Sequence, residues 1–418
     1  MIGATPWGLI KLLPFVAAPL LFVWLASELV VEFQFAPAAV VYLLLSADLA
    51  LCALVASRNK LPIWFLTLWI LFTGLPLLFC DPVLSDDIYR YVWEGVVQNR
   101  GYNPYDTPPN HPAFDRETLN KRVAFPDIPA IYPPLSQLLF RAVSAISVSL
   151  PAMKAAFLAC LAGLLVVMAR NRSVFGDSAV PIVAFVPLML IETAWSGHLD
   201  IVGVLFLAAA LVYMYADKGI QSGILLALSV SVKIIPIIFV PLFIFHFSKK
   251  RRLPFLAGLL LIPLLYLPFA DAGSWLFFAF KNYSQHWAFN GSFYRAALLA
   301  GASPMDARVI LGVLFALWAL YLFVYRRNSE DRFFLLYFGL AAVSPVVWPW
   351  YLLWLVPLGA KHFPKTTVMF TWSSFFTYQV MEGWIEDRTF MEFRTYRILE
   401  YGLTYSAFLY EFIRRRAK

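Results

Sequence analysis

The run LPFLAGLLLIPLLYLPFA, residues 253–270, contains no charged side chain. A second run, ARVILGVLFALWALYLFVY, covers residues 307–325. A transmembrane helix needs about 20 predominantly apolar residues, whereas a strand of a transmembrane barrel alternates between apolar and polar positions over about ten residues. These continuous runs therefore predict membrane-spanning helices and argue against a barrel.

The composition extends this interpretation to the whole chain. The AVILMFWYC set makes up 61% of the 418 residues and DEKR only 14%, whereas soluble domains carry roughly a quarter charged residues. A mean hydropathy of +0.72 excludes a soluble enzyme, a disordered protein and a protein with a single anchor. We predict an all-α polytopic membrane protein, one domain over residues 1–418, with about 12–14 transmembrane helices.

Basic clusters between the apolar runs set the orientation, because an excess of Lys and Arg marks cytoplasmic loops. The clusters are Arg58 with Lys60, Arg170 with Arg172, residues 249–252, Arg326 and Arg327 with Arg332, and residues 414–418. Residues 81–130 instead hold eight acidic and five basic side chains. We therefore expect an external loop at 81–150 with interfacial helices, and a second at 271–306. The net charge of +8 then requires no nucleic acid partner.

The stretch Gly219–Phe247 has the length of one long span, yet it contains Lys233. A single span would put the basic residues 249–252 outside, so we expect two short segments, 220–232 and 234–247, with a break at Lys233. A lone Lys in lipid costs about 3 kcal/mol, and broken segments are tolerated where they line a water-filled cavity. Lys233 should face such a cavity and suits a phosphate. The alternative is a snorkelling lysine.

A first group of polar residues, SDDIYRYVWEG, covers residues 85–95 directly after the third predicted span. The spacings of three and four between Asp87, Arg90 and Glu94 put them on one face of a helix. Asp86 and Asp87 form a pair of carboxylates that could act as a base. The alternative is a helix cap at Ser85 or Asp86 with a surface ion pair.

Further polar residues fall on the same predicted side. WSGHLD (195–200) contributes His198 and Asp200, which are functional candidates at the rim of a membrane or, alternatively, a satisfied histidine and a helix cap. The loop 271–306 contributes Arg295, whose role stays open beside aromatic residues that favour an interfacial anchor. IYPPL (131–135) and WPWY (348–351) supply Tyr132, Trp350 and Tyr351.

Motifs for other chemistries do not occur. The sequence has no Walker loop, H-E-x-x-H, G-x-S-x-G or C-x-x-C motif, and three scattered cysteines predict neither disulfides nor a metal cluster. We expect no cofactor, although a divalent metal stays open. One alternative to an enzyme is a lipid or sugar transporter or flippase of the cell envelope. Such transporters typically have a broken helix at corresponding positions in each half of the chain, and the sequence shows no such pair. A structural scaffold is a weaker alternative.

These motifs, in their order along the chain, resemble a known family. SDDIYRYVWEG (85–95), GYNPY (101–105) and YPP (132–134) are similar to the first external loop of bacterial GT-C glycosyltransferases, above all the polyprenol-phosphate-mannose-dependent mannosyltransferases. GHLD (197–200), VKIIP (232–236) and Ser344-Pro345 with Trp350-Tyr351 also resemble that group. The resemblance implies transfer of a sugar, expected to be mannose, from a polyprenyl-phosphate donor to a lipid or glycan acceptor. It would act from the inner (plasma) membrane on the periplasmic or outer side.

The resemblance also suggests roles for individual residues. The family keeps a catalytic Asp at the start of the first external loop, and the spacing to Arg90 favours Asp87 over Asp86 as the base of a single inverting displacement. The two carboxylates are contiguous, which departs from the family's D-x-D pattern. Lys233, with His198 and Arg295, would bind the donor phosphate. The remaining substrate contacts are assigned to Arg90, Glu94, Tyr132, Asp200, Trp350 and Tyr351.

Overall fold

The computed structural model describes residues 11–31, 33–114, 118–325, 330–387, 389 and 391–416. Within these ranges the secondary structure is helical, and backbone pairing between strands is limited to isolated bridges of Phe289 and Asn290 with Val346. The protein is an all-α polytopic membrane protein, as its composition predicts.

The apolar runs 253–270 and 307–325 and the short segments 220–232 and 234–247 are helical in the structure. Five described helices are long and apolar enough to cross a membrane, namely Leu13–Val30, Phe35–Asn59, Leu150–Arg170, Lys249–His286 and Pro304–Val324. Shorter apolar helices are Ile63–Leu77, Asp200–Tyr215, Gly219–Val232, Ile235–His246 and Arg332–Val343. The remaining longer helices are Asp87–Asn99, Pro134–Ile146, Pro364–Ser373 and Arg394–Arg416. The number of membrane crossings stays a prediction.

Small residues bring the central helices close together. A side chain at Gly223 would overlap the backbone carbonyl of Phe255, so the helices Gly219–Val232 and Lys249–Leu259 touch through their backbones. The Ser229 hydroxyl donates to the Gly203 carbonyl oxygen at 2.8 Å. Small residues and hydroxyls of this kind hold helices together where lipid provides no hydrophobic drive. They fix the end of the helix Gly219–Val232, at which Lys233 lies.

The described residues of the predicted external loop 81–150 include two longer helices, Asp87–Asn99 and Pro134–Ile146, and two short 3-10 helices. The helix Asp87–Asn99, called the loop helix below, packs on the helix Pro134–Ile146. The Gln98 amide donates to the backbone carbonyl of Gln137 at 2.9 Å. This buried contact holds the C-terminal end of the loop helix against the helix Pro134–Ile146.

The second predicted loop, 271–306, contains the end of a 3-10 helix, Leu267–Phe277, and the helices Phe278–His286 and Ser292–Leu299. Trp275 and Phe277 expose about half of their side chains. Exposed aromatic residues of this kind suit an interfacial anchor.

Candidate active site

A cavity of about 540 Å³ lies between the loop helix, the break at Lys233 and the second loop. One group of lining residues, called the inner wall, lies within 84–90, 128–133 and 233–235. A second group, called the outer wall, consists of residues within 276–287 and of Arg308. The cavity brings together the following predicted site residues: Asp86, Asp87, Arg90, Tyr132, Lys233, Trp350 and Tyr351.

Asp87 is the first residue of the loop helix, and its side chain is 32% exposed. Its backbone N–H donates to the Ser85 hydroxyl at 3.3 Å, and the Tyr132 hydroxyl donates to Asp87 Oδ2 at 3.1 Å. Asp86 occupies the N-cap position without a side-chain cap bond, so Ser85 provides the polar contact expected of a cap. A carboxylate at a helix N-terminus also benefits from the helix dipole. Asp87 is thus a fixed carboxylate facing the cavity.

Lys233 lies at the predicted break, where the helix ends at Val232 and the backbone becomes extended. Its Nζ lies 2.9 and 2.8 Å from the two carboxylate oxygens of Asp200, and 4.2 Å from the centre of the Tyr351 ring. Asp200 is fully buried and accepts a further bond from Trp354 Nε1 at 2.7 Å. The expectation that Lys233 faces a cavity is confirmed. Asp200 lies behind it and acts as its counter-ion.

His198 is fully buried behind the inner wall, after a turn in which Gly197 has a φ of +77°. Its ring stacks on Trp350 with centroids 3.8 Å apart, Nε2 lies 3.1 Å from the Ser85 hydroxyl, and Nδ1 lies 2.8 Å from Glu192 Oε2. Burial lowers the pKa of His198 to about 4, so the ring is neutral at pH 7. His198 therefore supports Ser85 and Trp350 in the structure, and it does not lie at the cavity surface where it was expected to bind a phosphate.

Arg90 and Glu94 also differ from the substrate contacts expected of them. The Arg90 guanidinium donates to three backbone carbonyls between residues 124 and 128, at 2.6 to 3.1 Å. Glu94 is buried outside the cavity, 3.7 Å from Arg90, and accepts from the Gln137 amide at 2.6 Å. Burial raises the pKa of Glu94 to about 7. Because the Arg90 guanidinium bonds to backbone carbonyls of residues 124–128, the Arg90–Glu94 pair holds this segment at the cavity.

An aromatic stack continues from His198 along the wall. Trp350 lies between His198 and Trp348, with Trp348 at 4.8 Å, and Trp348 stacks in turn on Phe289 at 3.9 Å. The hydroxyl of Tyr351 is 2.8 Å from that of Tyr283. Trp350 and Tyr351 line the cavity and are contacted by neighbouring aromatic side chains, and their contact with substrate stays a prediction.

The structure does not bring Arg295 to the cavity. Arg295 is exposed on the helix Ser292–Leu299 and lies outside the cavity lining. Arg308, which the sequence interpretation overlooked, lines the outer wall instead. A signal was present, because Arg308 is a charged residue inside an apolar run and such residues are functional candidates by default. Tertiary packing decides that Arg308 and not Arg295 lines the cavity, and the sequence does not show this packing.

Within the described ranges, no group of three or more His, Cys, Asp or Glu side chains is placed to hold a metal ion. Independence of a cofactor or metal stays a prediction, because this placement does not test it.

Comparison with known families identifies the chain. Residues 2–249 match the model of the family described as alpha-(1->6)-mannopyranosyltransferase, N-terminal domain. This match covers more than half of the chain, so the chain belongs to that family and is a mannosyltransferase. Neither the curated proteins nor the solved structures contain a match. The matched range includes the loop helix, His198 and Lys233, and it ends before the outer wall.

Proposed function

We propose that this mannosyltransferase moves a mannosyl group from a polyprenyl-phosphate donor to a hydroxyl group of a lipid or glycan acceptor, by one inverting displacement. The observation that supports this most is that Asp87 and Lys233 line one cavity. Apolar side chains line another part of the same cavity: Tyr266, Leu276, Phe277 and Phe280. A carboxylate, a cation and an apolar surface are the three elements that a lipid-linked sugar phosphate requires.

Asp87 acts as the base. It takes the proton of the acceptor hydroxyl while that oxygen bonds to the anomeric carbon and the bond from this carbon to the phosphate oxygen breaks. General base catalysis contributes about 10²–10⁴-fold. The Tyr132 hydroxyl, 3.1 Å from Asp87 Oδ2, fixes the direction of the carboxylate. Inversion of a β-linked mannosyl donor gives an α-linkage, which agrees with the description of the family.

Lys233 donates hydrogen bonds to the departing lipid phosphate. Its ammonium group is held at the cavity wall by Asp200, with its side chain 12% exposed. Preorganised donors stabilise charge that develops in the transition state without reorganising. A phosphate leaving group needs little acid catalysis, so one base and a fixed set of donors suffice.

The reaction is placed on the extracytoplasmic face of the inner membrane. Asp87 belongs to the acidic segment 81–130, whereas basic clusters such as residues 249–252 mark the cytoplasmic side. A polyprenyl phosphate can carry a sugar to that face, where soluble nucleotide sugars are not supplied.

The test uses the full chain purified into lipid nanodiscs. It receives polyprenyl-phosphate-mannose or guanosine-diphosphate-mannose, together with octyl α-mannoside as the acceptor, and products are analysed by mass spectrometry. We expect mannosylated acceptor from the lipid donor alone, with an α-linkage by nuclear magnetic resonance. Transfer from the nucleotide donor only, or a β-linked product, would contradict the proposal.

A further inference from the structure

The cations of the inner wall are already engaged within the protein. Lys233 contacts both oxygens of the buried Asp200, and the Arg90 guanidinium donates to three backbone carbonyls. The ion pair of Lys233 with Asp200 presents a dipole to a ligand rather than a full charge, so its attraction is weaker than that of a single charge at the same distance. The inner wall also presents Asp86 and Asp87, which repel an anion.

Arg308 on the outer wall is different. Its Nη1 donates to the Ser284 carbonyl at 3.3 Å and its Nη2 to the Trp287 carbonyl at 2.8 Å, while the guanidinium lies 5.2 Å from the Tyr294 ring centre. Within the described residues, no carboxylate forms an ion pair with it. A guanidinium has five N–H donors, so two backbone bonds leave donors and a full charge for a ligand.

The position of Arg308 also links the cavity to lipid. It lies near the start of Pro304–Val324, a candidate membrane span of which only 17% is buried. Its neighbours Val309, Ile310 and Val313 each expose more than half of their side chains. Arg308 itself is partly buried and lines the cavity. The guanidinium therefore lies between a surface that suits lipid tails and the site in which a sugar would react.

We propose that Arg308 binds the phosphate group of the lipid-linked donor. This inference rests on the proposed function and refines it, because Arg308 supplies the net charge and Lys233 supplies hydrogen bonds near the reacting carbon. Planar guanidinium groups match phosphate oxygens in a fork geometry, and their charge-assisted bonds are about twice as strong as neutral ones. The lipid tail then follows the apolar part of the cavity lining.

Arg308 has one competing role, as a cap of the helix Phe278–His286. Arginine side chains commonly bond the last carbonyls of a helix, and the carbonyls of Ser284 and Trp287 lie at this end. Arg308→Gln keeps an amide donor for these carbonyls and removes the charge. Arg308→Lys keeps the charge and removes the fork. The two variants therefore separate capping from phosphate binding.

The experiment measures KM for polyprenyl-phosphate-mannose, and inhibition by sugar-free polyprenyl phosphate and by inorganic phosphate, in nanodiscs. We expect Arg308→Gln to raise the donor KM and to weaken inhibition by polyprenyl phosphate by at least about tenfold, because one hydrogen bond to a charged group contributes about 1.5–3 kcal/mol. Arg308→Lys should show a smaller rise. Arg295→Gln, which removes an exposed arginine outside the cavity lining, should behave as the wild type.

Wild-type values of the donor KM in both Arg308 variants would overturn the inference. A lower unfolding temperature of Arg308→Gln with unchanged inhibition would assign Arg308 to capping and also overturn it. Equal inhibition by inorganic and polyprenyl phosphate would identify a site for free phosphate and count against a lipid-linked ligand. Failure of the wild type to use the lipid donor would instead refute the proposed function, so the two failures are distinguishable.

Discussion

The two walls of the cavity are built differently. On the inner wall, Asp87 accepts a hydrogen bond from Tyr132 and Lys233 donates to Asp200, and the groups behind them, His198 and Asp200, are fully buried. On the outer wall, residues within 276–287 include aromatic side chains that are half exposed. The family match also ends at residue 249, before the outer wall begins. From this contrast we propose that the inner wall carries the chemistry and that the outer wall selects the substrates.

The largest expected effect concerns Asp87, the proposed catalytic base on the inner wall. Asp87→Asn should lower kcat for mannosyl transfer by about 10²–10⁴-fold, since the amide cannot accept the proton, while the donor KM stays near the wild-type value. Initial rates with the lipid donor provide the measurement. Asp106→Asn, in the same loop but exposed and outside the cavity, is the matched control. A full rate in Asp87→Asn would show that Asp87 is not the base, and the same series on Asp86 would show whether the neighbouring carboxylate is.

A second experiment tests how rigidly the inner wall is held. Asp200→Asn keeps an acceptor for Trp354 Nε1 but leaves Lys233 without its counter-ion. Breaking a buried ion pair on one side costs about 3–5 kcal/mol, and we expect a loss toward the lower end, since Lys233 is slightly exposed. The free energy of unfolding gives the measurement. Adding Lys233→Met should restore stability but not activity, and recovery of activity would show that Lys233 has no catalytic role.

Tyr132→Phe removes the hydroxyl that donates to Asp87 Oδ2 and should reduce kcat about tenfold, because a hydrogen bond to a charged group contributes about 1.5–3 kcal/mol. The donor KM should not change. Tyr102→Phe, at an exposed tyrosine of the same loop, provides the comparison. An effect on the donor KM alone would mean that Tyr132 belongs with the substrate contacts.

The smallest expected effect belongs to an aromatic side chain of the outer wall. Trp287 lines the cavity and packs against Phe125 with ring centroids 4.9 Å apart. Trp287→Ala should raise the KM of donor or acceptor about threefold at constant kcat, since an aromatic contact of this type contributes about 0.5–1.5 kcal/mol. Trp275→Ala, at a half-exposed tryptophan outside the lining, is the control. If kcat falls in Trp287→Ala instead, the division of labour between the walls is wrong.

Two features of the sequence, the helical spacing of polar residues and an isolated charge in an apolar run, predicted much of the inner wall. Helical spacing placed Asp87, Arg90 and Glu94 on one helix, and the cost of a charge in lipid placed the break at Lys233, as the structure confirms. The sequence did not show which of these side chains would turn away from the cavity. The partners of His198 are the reason, because Ser85 and Trp350 come from distant parts of the chain, although Glu192 lies only six residues before it. The choice of Arg308 over Arg295 likewise depends on tertiary packing.

The pairing of Lys233 with Asp200 has a consequence for turnover. The proposed donor is a phosphodiester, whereas the spent lipid would be a monoester, which carries about −1.5 to −2 charge at pH 7. A second unbalanced cation in addition to Arg308 would hold this more negative product more tightly than the incoming donor and would slow each cycle at its last step. Because Lys233 is paired with Asp200, it adds less to that difference than an unpaired lysine would, and this favours release of the spent carrier to the bilayer.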